Sequence, residues 1–289
     1  MKNSLKKILG LGILSVAFAS LAACSSGEDA ATASSSSSAA ASSSEAATPL
    51  IIGASSTPHA EILEQVKDDL AAEGYDLQIK VFDDYILPNT ALSDGDLDAN
   101  FIQHAPYLEN FNKEHGTDIV PVGNIHFEPL GIYPGKSASL EEIPDGGQVS
   151  IPNDATNGAR ALLLLESAGL IKLKDGVDIT ATSNDIAENP KNLEIVELEP
   201  SQIARAVQDV DVAVLNGNYA LEAGFSVEKD ALTTEDKDSK AAQTYANIIA
   251  VRAGDEDNAA IKALLAAVQS DKIKDYINDT YKGAVIPVF

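Results

Sequence analysis

The sequence predicts an α/β protein of two lobes with a crevice between them, and three observations carry that prediction. Short apolar runs alternate with helix-like segments from residue 50 to the C-terminus, the pattern of sheets covered by helices. The alternation breaks off and restarts near residue 148, which divides the chain into two runs. Polar and aromatic side chains that look out of place fall largely at strand ends, where open α/β sheets hold their ligands.

The first run opens with LIIGAS (50–55), followed by a helix over 58–73. LQIKVF (77–82) is the next strand, 88–93 a short helix, and DLDANFIQ (96–103) a strand leading to a helix over 105–115. IVPVG (119–123) and LGIYP (130–134) are both strand-like. The second run holds VSIPN (149–153), a long helix over 156–170, LEIVEL (193–198), a helix over 202–207 and DVAVLN (211–216). Segment 228–243 is polar and charged and reads as an exposed loop or irregular helix. ANIIAVRAG (246–254) reads as a buried strand, two amphipathic helices close the chain, and no internal repeat is present. Such alternation predicts parallel sheets.

The first residues are not part of the fold. Lys2, Lys6 and Lys7 precede a short apolar core, and Leu21-Ala22-Ala23 ends it before Cys24. This is a secretory signal peptide over 1–23, too short for a spanning helix. Its L-A-A-C ending resembles a bacterial lipobox, which implies cleavage before Cys24 and lipidation there. As the only cysteine, Cys24 leaves the folded part without an internal disulfide. Residues 24–48 are the lipidated cysteine and a Ser/Ala tether that cannot bury enough apolar surface to fold. Its reach is roughly 25–30 Å, so the folded part would work just above a membrane.

With 44 acidic against 20 basic side chains the net charge is −24, which excludes a nucleic-acid partner. No G-x-S-x-G elbow, P-loop or G-x-G-x-x-G fingerprint is present, and acidic pairs such as Asp83-Asp84 arise freely in so acidic a chain. An enzyme is therefore not expected. His59, His104, His115 and His126 raise a metal site, but no H-x-x-x-H spacing supports one. The expectation is no metal and no cofactor.

What remains is a site for a small ligand. IPNDATNGAR (151–160) ends a strand, turns, and opens a helix with Arg160 near its first turn. A helix N-terminus and an arginine together suit a carboxylate. The same residues also read as an ordinary capped helix with a solvated arginine. Asn216 or Asn218 could accept from an ammonium group through its amide oxygen, or only cap the next helix. Tyr85, Phe101 and His104 could wall an apolar or thioether side chain, with core packing the alternative for Phe101. His126 stands at another strand end, and Asn153 begins the turn before Arg160.

VFDDYILPNTAL (81–92), DGDLDANFIQHAPYL (94–108), SIPNDATNGARALLLLESAGLIKLK (150–174), NPKNLEIVELE (189–199), DVAVLNGNYAL (211–221) and YANIIAVR (245–252) resemble the methionine-binding lipoproteins of bacterial ABC importers, the NlpA lipoprotein family. The resemblance spans 50–289. It implies a periplasmic-binding-protein fold, with lobe 1 at 49–134 plus 246–289 and lobe 2 at 135–245. It further implies a monomer that carries methionine to a membrane permease driven by a separate ATPase. Arg160 would grip the ligand carboxylate and Asn218 or Asn216 the amino group, with Tyr85 and His104 lining the side-chain pocket. Asn153, Asn157, Phe101, Ile102 and His126 complete the expected site. Many relatives carry an aromatic where this chain has Ile102, so either Ile102 is a plain apolar wall or Phe101 takes that place. Because strand residues alternate faces, the two options differ. Another amino acid, a methionine-containing dipeptide or a metal are the alternative cargoes.

Overall fold

The computed structural model describes residues 46–237 and 243–289. The signal segment, Cys24 and nearly all of the Ser/Ala stretch lie outside the described residues, as does part of the segment 228–243. No helix among the described residues is long and apolar enough to cross a membrane.

The chain enters the fold at β1 (Thr48–Ala54), which begins at the last residue assigned to the tether. Beyond a π-helical turn over Ser56–Ala60, the helix expected over 58–73 is two pieces, α1 (Glu61–Glu64) and α2 (Lys67–Ala72). They part at buried Val66, a β-branched residue whose backbone leaves the helical region at φ −105°, ψ 1°. Then come β2 (Tyr75–Val81), α3 (Leu87–Asp94), β3 (Ala99–His104), α4 (Ala105–His115) and β4 (Ile119–Phe127). α4 starts cleanly because His104 caps it, with Pro106 in the first turn, and it ends at Gly116 in the left-handed region, φ 68°.

The next strands are β5 (Gly131–Pro134) and β6 (Gln148–Pro152), followed by α5 (Ala155–Ser167). A small pair, β7 (Lys172–Leu173) and β8 (Ile186–Glu188), precedes β9 (Glu194–Leu198), α6 (Pro200–Ala206) and β10 (Val212–Leu215). After these lie α7 (Gly217–Glu222), α8 (Val227–Asp230) and β11 (Thr233–Thr234). The chain closes with β12 (Asn247–Arg252), α9 (Ala259–Val268), α10 (Asp271–Tyr281) and β13 (Ile286–Pro287).

These strands form two large sheets, ordered β13-β4-β12-β3-β1-β2 and β11-β5-β10-β6-β9. Both are mixed, not parallel throughout as expected. β1 runs parallel to β2 and β3, and β6 parallel to β9 and β10, but β12 is antiparallel to β3 and β4, and β5 to β10. Apart from the short C-terminal β13, antiparallel to β4, the reversed strands are those that follow a crossing between lobes. β5 and β12 each enter their sheet from the crevice, where the preceding strands end. β12 begins there with Asn247 opposite both His104 and His126. The lobe limit expected at 134 also moves. β5 pairs with β10 and β11, so the chain changes sheets at 128–130.

Helices cover both faces of each sheet, as the buried central strands require. Leu50, Ile52, Phe101 and Ile249 pack with α1, α2, α9 and α10 on one side of the first sheet. Ile102, Ile248 and Ala250 pack with α3 and α4 on the other. Val149, Ile151, Val212 and Val214 bury one face of the second sheet under α5.

Candidate functional site

Strands β1, β3, β4, β6 and β10 deliver their carboxyl ends to the gap between the sheets. A small cavity lies there. Its wall combines Tyr85, Ile102, His104 and Tyr107 from the first lobe with Asn157, Arg160, Asn216 and Asn218 from the second, and Glu128 from the crossing between them.

Arg160 is held on the first turns of α5, whose N-cap Asp154 accepts from the Asn157 amide at 2.8 Å. The guanidinium is buried between the Tyr245 ring, 4.5 Å from its centroid, and that of Phe127. Its Nε donates to Glu235 Oε1 at 2.7 Å, and Nη2 donates to Glu235 Oε2 at 2.5 Å and to the Glu128 carbonyl at 2.8 Å. The solvated-arginine reading is thereby overturned. A guanidinium has five N–H donors, so two on Nη1 lie outside these three bonds. Glu235 also accepts from Leu130 N and donates its own amide to Leu130 O, tying the two crossing segments together. Arg160 is thus part of the crossing between the lobes, where a hinge would lie, as well as of the crevice wall.

Asn157 joins the lobes in another way. Its Oδ1 accepts from His104 Nε2 at 3.1 Å and from Asn216 Nδ2 at 2.9 Å, while its Nδ2 donates to the Asp154 carboxylate. With both ends of its amide engaged, Asn157 positions His104 and Asn216. His104 Nδ1 accepts from Tyr107 N, which fixes the proton on Nε2. Tyr85 Oη donates to Asn218 Oδ1 across the crevice at 2.5 Å. Asn216 Oδ1 and Asn218 Nδ2 are buried, line the cavity and have no partner among the described residues.

Three expected site residues stand elsewhere. Phe101 lies on the opposite face of β3 from Ile102, in the core, with its ring 4.5 Å from that of His59 and 5.2 Å from that of His126. Strand alternation puts Ile102, not Phe101, at the cavity. Asn153 is exposed and faces a separate surface groove with Thr182 and Glu197. His126 is buried behind Glu128 and reaches the cavity only through it, Nε2 donating to Glu128 Oε1 at 2.7 Å.

Glu128 and Glu235 escaped sequence reading. Glu235 falls in the segment read as an exposed loop, and nothing local marks it. For Glu128 there was a signal, an acid inside the apolar run IHFEPLGIY (125–133). Its carboxylate packs on Gly217, where a Cβ would come within 2.6 Å of Glu128 Cβ, so the close approach requires glycine.

His59, His126 and Glu128 form a group able to hold a metal, with ligand atoms within 4.8 Å of one another. Their protons oppose it. Ser55 Oγ donates to His59 Nδ1, and His59 Nε2 donates to Asn247 Oδ1 at 3.0 Å. His59 therefore turns an N–H group, not a lone pair, toward Glu128, and an ionised Glu128 takes the N–H of His126 Nε2 in the same way. Burial lowers His59 from 6.5 to about 4, against the pull of Glu128, and His126 to about 3. His104 falls to about 3 through burial and the nearby Arg160.

These depressed values make stability pH-dependent. Between pH 6.5 and the folded values near 3–4 the unfolded chain holds more protons than the native one, so stability falls as pH falls through that window. Each histidine contributes a slope of up to about 1.4 kcal/mol per pH unit. Glu128, pushed up by burial, works in the opposite direction and offsets part of it. Urea unfolding at pH 7, 6 and 5 should show a falling midpoint, and an unchanged midpoint contradicts buried neutral imidazoles.

Comparison with known proteins identifies relatives of the chain as a whole. The family model described as NlpA lipoprotein matches residues 50–289. The methionine-binding lipoprotein MetQ of Bacillus subtilis is 42% identical over 288 residues, covering 98% of this chain and 99% of that protein. The crystal structure of a lipoprotein from Ruminococcus gnavus is 58% identical with a TM-score of 0.83, covering 84% of this chain and 100% of that one. A nutrient-binding protein from Burkholderia cenocepacia, solved bound to methionine, is 43% identical with a TM-score of 0.78, covering 83% and 100%.

Proposed function

Because this chain belongs to the NlpA lipoprotein family, we propose that it is an extracytoplasmic solute-binding protein that captures methionine and delivers it to an ABC importer. The observation that carries this reading is a crevice with opposed ends. Arg160 and unpartnered amide groups of Asn216 and Asn218 line one part of it, and Tyr85, Ile102 and Tyr107 another. An α-amino acid with an unbranched apolar side chain fits that division. The relatives' names support it, and the Burkholderia neighbour is bound to methionine itself.

In this reading Arg160 meets the ligand carboxylate with Nη1, Ile102 and the tyrosines contact the thioether, and His104 and Asn157 hold the walls in place. Cys24 carries the lipid, and a permease with its ATPase receives the closed, monomeric form. The protein performs no chemistry on its cargo.

Calorimetric titration of ligand-stripped protein with L-methionine tests this. Saturable 1:1 binding is expected. Absence of heat with methionine, other amino acids and short methionine peptides would sink the idea, and tighter binding of zinc would favour the His59–His126–Glu128 group instead.

A further inference from the structure

Glu128 is a buried carboxylate with no full positive charge hydrogen-bonded to it among the described residues, the Arg160 guanidinium acting on it only from a distance. Its side chain is 6% exposed, and its nearest basic groups are His126 and His59, at 2.7 and 3.6 Å, both neutral in the fold. The Arg160 guanidinium is turned to Glu235 and to the Glu128 carbonyl, not to its carboxylate. Isolated buried carboxylates are costly, and hydrogen bonding from His126 Nε2 and the Asn218 backbone N–H only partly offsets that. Oε1 is engaged by His126, while Oε2 lies against Gly217 of the cavity wall, where a Cβ would come within 2.9 Å of it. On the same cavity wall stands Asn216, whose Oδ1 is a buried acceptor with no partner among the described residues.

We infer that Glu128 Oε2 and Asn216 Oδ1 form an ammonium subsite, in which Glu128 supplies the counter-charge for the amino group of the ligand. The inference rests on the proposed amino-acid cargo and deepens it. A charged acceptor and a neutral one converge where an N–H₃⁺ group needs both, while Asn218 Nδ2, a donor, is left for the carboxylate with Arg160. His126 is then a positioning residue that holds Oε1 and turns Oε2 to the cavity. The resemblance assigned the amino group to an asparagine alone. The buried acid adds charge selection, so the crevice takes zwitterions and rejects the matching simple acids.

The test is calorimetric, on stripped full-length protein, with L-methionine and with 4-(methylthio)butanoate, which replaces the ammonium by hydrogen. Wild-type protein should prefer methionine by at least about 100-fold, as expected for a desolvated charge pair. In Glu128→Gln, methionine affinity should fall by about 30-fold or more, with that of the des-amino acid changed by less than about threefold. If wild-type protein binds no methionine, the cargo reading falls and the subsite with it. If wild-type protein binds methionine and Glu128→Gln keeps the full preference, the subsite alone is overturned. Should Glu128→Gln fail to fold, equal binding of the two compounds by wild-type protein overturns it as well.

Discussion

Arg160→Ala is expected to abolish measurable methionine binding at micromolar concentrations and to lower the stability of the empty protein. Removing one partner of a buried charged contact to ligand costs about 2–5 kcal/mol, a loss of roughly 30-fold to several thousand-fold in affinity. The same truncation strands Glu235, whose side chain is 10% exposed and which, among the described residues, would keep only the Leu130 amide as donor. Breaking a buried pair from one side costs about 3–5 kcal/mol. Both effects come from one guanidinium, because Arg160 stands where the crossing and the crevice meet.

A second substitution separates the two roles. In Arg160→Ala/Glu235→Gln the stranded charge is gone, so the unfolding midpoint should recover in part. Methionine affinity should not, since the carboxylate still lacks its cation. If instead the double variant binds within about tenfold of wild type, Arg160 is a hinge staple and the ligand carboxylate is held elsewhere. Arg160→Lys would be no substitute for either, because a lysine has neither the planar fork that grips Glu235 nor the spare N–H pair beside it.

The parts of this site that were legible in the sequence are those written locally. The turn and helix entry at 151–160 place Arg160, and its N-cap Asp154 lies in the same turn. Strand ends with isolated polar residues gave His104, Asn216 and Asn218 because a strand end in an α/β sheet is a position in space as well as in sequence. The Arg160–Glu235 pair spans 75 residues and depends on how the second crossing is threaded, which no local pattern encodes. The reversed direction of β12 was hidden for the same reason, since an apolar run carries no sign of its polarity. Glu128 was hidden differently. One acid among 44 carries little information by type, and only its burial gives it meaning.

Phe101→Ala and Ile102→Ala, neighbours on one strand, should fail in different ways. Phe101 is fully buried on the core face of β3, edge-on to His59 and His126, and its truncation should cost about 3–5 kcal/mol of stability. No lining contact is lost, so among folded molecules the preference for methionine over alanine should stay within about threefold of wild type. Ile102 faces the cavity with Tyr85 and Tyr107, and its loss removes apolar contact from the side-chain end of the ligand. Contacts of that size are worth about 1–3 kcal/mol, so its truncation should narrow the methionine-to-alanine preference by about tenfold or more. Urea unfolding and calorimetric titration of the two variants give both readouts. The reverse result, with preference lost in Phe101→Ala and kept in Ile102→Ala, would mean that β3 presents its other face to the ligand. A slip of one residue is enough to do that, because it exchanges every inward side chain for an outward one. The pairing of β3 with β1, Ala54 opposite Phe101, fixes which face that is. It also makes Ile102 a plain apolar wall at the position where many relatives carry an aromatic ring.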